Sequence, residues 1–145
     1  MKTIIAGSRN LGETTESISN IIDTIIKKTD YKILTILSGA SGQVDNLAID
    51  YAIKNNIEWY QYPADWNSFN RAAGPIRNLQ MVNNADMLIL IWDGQSKGSL
   101  DVKTKAEKKG LIIQEVRIEN GINQRTVIWN LQKKESDTTE SIETS

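Results

Sequence analysis

Residues 87–99 read MLILIWDGQSKGS. The apolar succession Met87 to Ile91 is too short for a helix and leaves no polar face, so it predicts a strand buried on both sides at the centre of a sheet. The run ends at Asp93-Gly94, a loop continues through Gly98, and the lysine-rich segment to Lys109 follows as a helix. The same unit recurs upstream. Lys2–Ala6 is a short apolar run stopped by Gly7-Ser8, and from Thr14 to Lys28 the residues Ile18, Ile21, Ile22, Ile25 and Ile26 form one helical stripe. Ile33–Leu37 is a second strand, ended by Ser38-Gly39, and Val44, Leu47, Ala48, Tyr51 and Ala52 mark a second amphipathic helix. Glu58–Tyr62 is a third strand. A loop then runs to Gly74, and Pro75 occupies the first turn of a helix reaching about Asn83, where its missing N–H costs nothing. Downstream, Ile112–Ile118 is a fifth strand. Strands alternating with helices predict parallel pairing through right-handed crossovers. The fold class expected is therefore α/β: a three-layer Rossmann-like domain with a mainly parallel five-stranded sheet.

Asn120-Gly121 is a turn signal. Thr126–Leu131 reads as an edge strand or a short helix, the strand being favoured. The segment KKESDTTESIETS at 133–145 has too little apolar surface to offset its ordering entropy, so a single domain over 1–132 and a disordered acidic tail over 133–145 are expected.

The chain carries 17 basic and 18 acidic residues; the tail holds two of the former and four of the latter, so the body is close to neutral. A nucleic-acid partner, which calls for a concentrated basic face, is not expected. Cys and His are both absent, which excludes disulfides, thiol nucleophiles, Ser-His-Asp triads and the usual zinc sites. No metal or cofactor is expected. Nor does any apolar run approach the roughly 18 to 20 residues of a membrane span, and Gly7 interrupts the N-terminus before a signal-peptide core forms. A soluble, cytoplasmic protein without a membrane partner is expected.

In an open parallel sheet, ligands bind outside the carboxyl ends of the strands, near the point where strand order reverses. The residues least explained by packing gather there: Gly7, Ser8 and Arg9 after strand one; Ser38, Gly39 and Asp45 after strand two; Asp65 and Trp66 after strand three. After strand four come Trp92, Asp93, Gly94, Ser96, Lys97, Gly98 and Ser99. Glycines and hydroxyls at such turns let backbone amides approach phosphate oxygens, and a helix N-terminus adds positive potential. Any one such loop also serves simply to end a strand; three on one edge favour a ligand. Arg77 and Asn78, placed in the first turn after Gly74-Pro75, offer a guanidinium fork for phosphate or carboxylate, or else a surface ion pair. Asp45, Asp65 and Asp93 suit an acid, a base or a ribose-hydroxyl acceptor, or ordinary turn and cap roles. Trp66 and Trp92 suit base stacking or core packing. Gly7 and Gly12 have phosphate-loop spacing, but Glu13 stands where that motif needs lysine, and the G-x-G-x-x-G fingerprint is absent. The Lys97–Lys109 stretch, broken by Asp101 and Glu107, reads as a solvated helix face.

Together, AGSR at 6–9, SGASGQVD at 38–45, PADW from Pro63, AAGPIRN from Ala72, Met81, Ala85-Asp86 and WDGQSKGS at 92–99 resemble the YspA-like branch of the SLOG superfamily. Its relatives include DprA and the LOG phosphoribohydrolases. The resemblance spans about residues 2–118. It implies a Rossmann-like domain with a pocket for nucleotides or their derivatives, as in members that sense ADP-ribose-like signals in bacterial and phage conflict. Because relatives form dimers or larger assemblies, it also implies a homo-oligomer. The family's second motif carries a glycine two residues before its aspartate; here that position is Gln43, with Gly42 beside it. In the phosphoribohydrolase relatives an arginine and a glutamate carry the hydrolysis. Arg77 matches the arginine, whereas the glutamate position falls on Val102, with Asp101 one place early and rotated about 100° around the helix. No catalytic residue is assigned. The expected function is non-catalytic binding, by sensing or sequestration, of a nucleotide-derived small molecule. One alternative is N-glycosidic hydrolysis of nucleoside monophosphates using Asp93 or Asp101. The other is a protein-interaction module with a vestigial pocket.

Overall fold

The structure, a computed structural model, describes residues 1–133 and 138–144, the latter segment as backbone. The strands are β1 (Lys2–Gly7), β2 (Thr35–Ser38), β3 (Glu58–Gln61), β4 (Met87–Trp92), β5 (Ile112–Gly121), β6 (Gln124–Gln132) and β7 (Thr138–Thr144). The helices are α1 (Thr15–Lys28), α2 (Gln43–Lys54), α3 (Trp66–Phe69), α4 (Ala73–Asn83) and α5 (Lys97–Lys109), with a 3-10 turn at Asn70–Ala72. All seven strands join one sheet in the order β3-β2-β1-β4-β5-β6-β7. The first five pair in parallel, and β6 and β7 are antiparallel additions.

The period-2 alternation of the central strands divides the core. Ile5, Ile36, Ile89 and Ile91 face α1 and α2, while Ile4, Leu37, Leu88 and Leu90 face α4 and α5. Ile18, Ile21, Ile22 and Ile25 of α1 are all buried. Burial stabilises by roughly 1.5–3 kcal/mol per side chain, which outweighs the few tenths that each β-branched residue costs a helix. β4 is buried along its whole length, as the sequence predicts.

Three expectations need correction. The sheet has seven strands, not five. Within 133–145, where a disordered tail is expected, residues 138–144 instead form β7. Low apolar content argues against a free-standing element, but β6 offers an open row of amides and carbonyls, and pairing from Gln132↔Thr138 to Thr126↔Thr144 satisfies them; residues 134–137 and 145 lie outside the described residues. Finally, α4 begins at Ala73, two residues before Pro75, so Arg77 and Asn78 lie in its second turn, beyond the unpaired amides of the first.

Because α1 and α2 cover one face and α4 and α5 the other, the chain's winding reverses between the neighbouring strands β1 and β4. Crossovers that diverge from adjacent strands leave a crevice at their carboxyl ends. Among the described residues, no helix is long and apolar enough to cross a membrane.

Candidate functional site

A cavity of about 410 Å³ opens at this reversal point. Its floor is the end of β1 and its walls are the loops after β1, β2 and β4 with the first turns of α5. Of the residues expected there, Gly7, Ser8, Arg9, Asp45, Arg77 and Asn78 line it. So do Asp93, Ser96, Lys97, Gly98 and Ser99.

Arg77 is buried, and its fork is mostly committed to the protein. Nε donates to Asn78 Oδ1 at 2.9 Å, and Nη1 donates to the carbonyls of Gly39 at 2.8 Å and Tyr62 at 3.4 Å. Nη2 keeps no protein partner among the described residues. Asn78 passes the network on, donating to the Gly98 carbonyl at 3.3 Å and to Asp101 at 2.9 Å. This frame holds one N–H edge of the guanidinium toward the cavity in a fixed orientation. Gly39 is required by it: a Cβ there would come within 2.4 Å of Nη1.

Beside Arg77, where a single Cβ on Gly39 would meet both Nη1 and Asp45 Oδ2, Asp45 divides between structural and available roles. Oδ2 accepts from the Ser41 amide at 3.0 Å, an ordinary cap-like bond at the start of α2, whereas Oδ1 is buried with no hydrogen-bond partner. Burial pushes the carboxyl up to about 6, against the downward pull of the Ser41 amide, the Arg77 guanidinium, the nearby Gly7 amide and Arg9; the Gly7 amide approaches the carboxyl without completing a hydrogen bond to Oδ1. A buried acceptor without a donor costs roughly 1–3 kcal/mol, so a ligand N–H or O–H that reached Oδ1 would recover it.

The expected cradle of amides from several turns is realised more narrowly. Ser8 N–H donates to Ile91, Ala40 N–H to the Ser38 hydroxyl, and the Gln95 and Ser96 amides to Asp93 Oδ1. The free amides are those of Lys97, Gly98 and Ser99 at the start of α5. The first intrahelical bond there runs from Leu100 to Ser96, and the Ser96 side chain does not cap, because its hydroxyl bonds Ser8 Oγ at 2.8 Å. Asp93 is fixed as a turn residue. Desolvation raises its carboxyl, but bonds from Gln95, Ser96 and Ser8 outweigh that and hold it below the ordinary value.

Six expected residues are not in the lining. Ser38 and Gly39 lie behind it, the first bonded to the Asp45 carbonyl and the second supporting Arg77. Asp65 caps α3 by accepting from Ser68, and Trp66 lies half-exposed in a separate depression with Phe69. Trp92 is core: its indole N–H donates to Glu115 at 2.6 Å. Gly94 faces a neighbouring groove. Asn10 also lines the cavity, as do Ala6, Ser41 and Met81, which the sequence marks only as parts of the resemblance and not as site residues. Met81 was findable, since it stands four residues after Arg77 on the same helix face.

The departure at Gln43 has a visible shape. Gly42 adopts φ +101°, and a Cβ on it would come within 2.5 Å of Arg9 Cα, so the loops after β1 and β2 touch here. Gln43 then bonds the other loop through both its amides, to the carbonyls of Arg9 and Glu13.

A scan against family models and a search of curated proteins return no match. Among solved structures, the chain is similar to DNA processing protein A (DprA) from Streptococcus pneumoniae, with a TM-score of 0.62 at 16% identity. The similarity covers 79% of this chain and 49% of that one, so this chain spans about half of DprA's length. It establishes a shared Rossmann-like α/β fold.

Proposed function

We propose that this protein binds a phosphate-bearing nucleotide derivative without transforming it, as a sensor or a sequestering module of the YspA-like kind. The observation that carries the reading is the convergence of three features on one cavity: the open N-terminus of α5, the fixed Arg77 edge, and the unpartnered Asp45 Oδ1. The first two suit an anion and the third suits a sugar hydroxyl or a base N–H. Arg9, Arg77 and Lys97 outnumber Asp45 and Asp93 in the lining, which favours an anionic occupant. A recessed cavity in a nearly neutral body supports a small molecule over a nucleic acid. The resemblance in sequence supports an ADP-ribose-like ligand and leaves its identity to experiment.

Catalysis of the phosphoribohydrolase kind is disfavoured by the lining itself. Val102 faces the cavity, while Asp101 is held by Asn78 and Lys105. A valine can neither move a proton nor stabilise a developing cation.

Titration calorimetry across a panel of nucleotides tests the reading with two variants. Ser99→Asp places a negative charge at the third position of α5, a buried site on the cavity wall, where it repels a bound anion; binding is expected to fall at least tenfold in protein whose cooperative thermal unfolding shows that it is folded. Arg77→Ala is expected to abolish binding. Uptake unchanged in both variants overturns the site. Release of free base from a bound nucleotide would establish the hydrolase instead, and failure of every nucleotide to raise Tm would favour a protein-interaction module.

A further inference from the structure

Beside the cavity lies a larger groove of about 790 Å³ between the loop after β4 and the β5–β6 hairpin. Asn10 and Asp93 line both spaces, so the two are compartments of one depression. Most of the far wall, from Glu119 to Thr126, lies beyond the segment that carries the family resemblance.

This wall is anchored. Arg125 of β6 forms a bidentate pair with Glu13, Nη2 and Nε donating to its two carboxylate oxygens at 2.6 and 3.1 Å, and Asn120 Nδ2 donates to the Leu11 carbonyl at 3.5 Å. Both bonds tie the hairpin to the loop after β1 that also bounds the inner cavity. Glu13, which disqualifies the phosphate-loop motif, is thus the residue that holds the second compartment in place.

The two compartments differ in charge. The inner one has an excess of cations, whereas in the groove Arg117 lies 2.8 Å from Glu119 as an exposed ion pair whose Nε makes no well-aligned hydrogen bond, and Asp93 tips the lining to net negative. An anion is therefore directed inward. What the groove offers instead is neutral donors and acceptors, the carboxamides of Gln95, Asn120 and Gln124 and the hydroxyl of Thr126. These match sugar hydroxyls and the hydrogen-bonding edge of a base.

We infer that the ligand is two-ended: a dinucleotide whose phosphates lie against α5 and Arg77 and whose neutral nucleoside half occupies the hairpin groove. The inference rests on the function proposed above and extends it to a ligand class.

Calorimetry with ADP and with diadenosine diphosphate tests it, because the second probe adds one neutral nucleoside to the first. The dinucleotide is expected to bind at least tenfold tighter. Thr126→Trp, which fills the groove with a β-compatible side chain outside the inner cavity's lining, is expected to remove that advantage and leave ADP binding unchanged. Gln124→Ala, at an exposed position that threatens the fold less, is expected to reduce the advantage severalfold. Equal affinity for the two probes in the unmodified protein, or an equal loss for both in the variants, overturns the inference while leaving the inner site intact. Binding of neither probe overturns this inference, and failure of the whole nucleotide panel overturns the proposed function with it.

Discussion

Asp45 shows how one side chain serves the fold and the site at once. Its folded-state pKa of about 6 lies above the ordinary 3.8, so the folded protein holds this proton over a range where the unfolded chain has released it. Stability contributed by this group is complete below about pH 4 and is lost as pH rises through 6, by roughly 3 kcal/mol in all. Asp45→Asn removes the dependence. Denaturant unfolding of the two proteins is therefore expected to show the variant's advantage growing from pH 4 to pH 7; parallel profiles would contradict the assignment. Gly98 supports a second prediction. A Cβ there meets nothing within 4 Å, so Gly98→Ala is expected to stabilise α5 by about 0.5–1 kcal/mol while crowding the amides that face the ligand. Tm should rise and affinity should fall. At this scale the sequence was informative about residue type and less so about state. It picked out Arg77 and Asp45, but which oxygen of Asp45 is free depends on the turn of the loop at Ser41. Trp92 could not be separated from a stacking residue because its partner, Glu115, comes from a strand 23 residues later.

Elements were legible wherever a periodic pattern ran unbroken. The isoleucine stripe of α1 and the apolar run of β4 were read with nearly their observed limits. The start of α4 was misplaced because the proline signal allows the third helical position as well as the first, and α3 escaped notice because a single turn has no period. β7 was missed because its pairing depends on β6, not on its own composition. That difference can be tested: truncation after Lys133 uncovers the outer edge of β6, and hydrogen exchange is expected to show faster exchange at its outward amides and little change in β1 and β4. Unchanged β6 protection would contradict the pairing. The hairpin's anchor gives another test. The Glu13 carboxylate is nearly buried, with its hydrogen bonds from Arg125 outweighing desolvation and holding it below the ordinary value. Arg125→Ala leaves that charge without its main partner at a pair whose arginine is about a third exposed, and is expected to cost about 1–3 kcal/mol, whereas the double variant with Glu13→Gln recovers much of the loss.

At the level of the whole molecule, the site follows from topology. Strand order 3-2-1-4-5 with helices split between two faces produces one reversal point, and every group assigned to the phosphate site is brought there by that winding. The reversal could be anticipated from the alternation of strands and helices. The second compartment could not, since it depends on an antiparallel hairpin folding back over the first loop through contacts more than a hundred residues apart. A ligand present at a hundred times its Kd would stabilise the protein by about 2.7 kcal/mol, enough to move Tm by several degrees. The most direct test of the central claim is a titration of isotopically labelled protein with ADP, followed by NMR at the backbone amides and the Arg77 side chain. The account predicts that the largest shifts fall on Lys97, Gly98 and Ser99 and on the Arg77 guanidinium, saturating together. Shifts that are absent there, or that gather on β3 and α3, would contradict it.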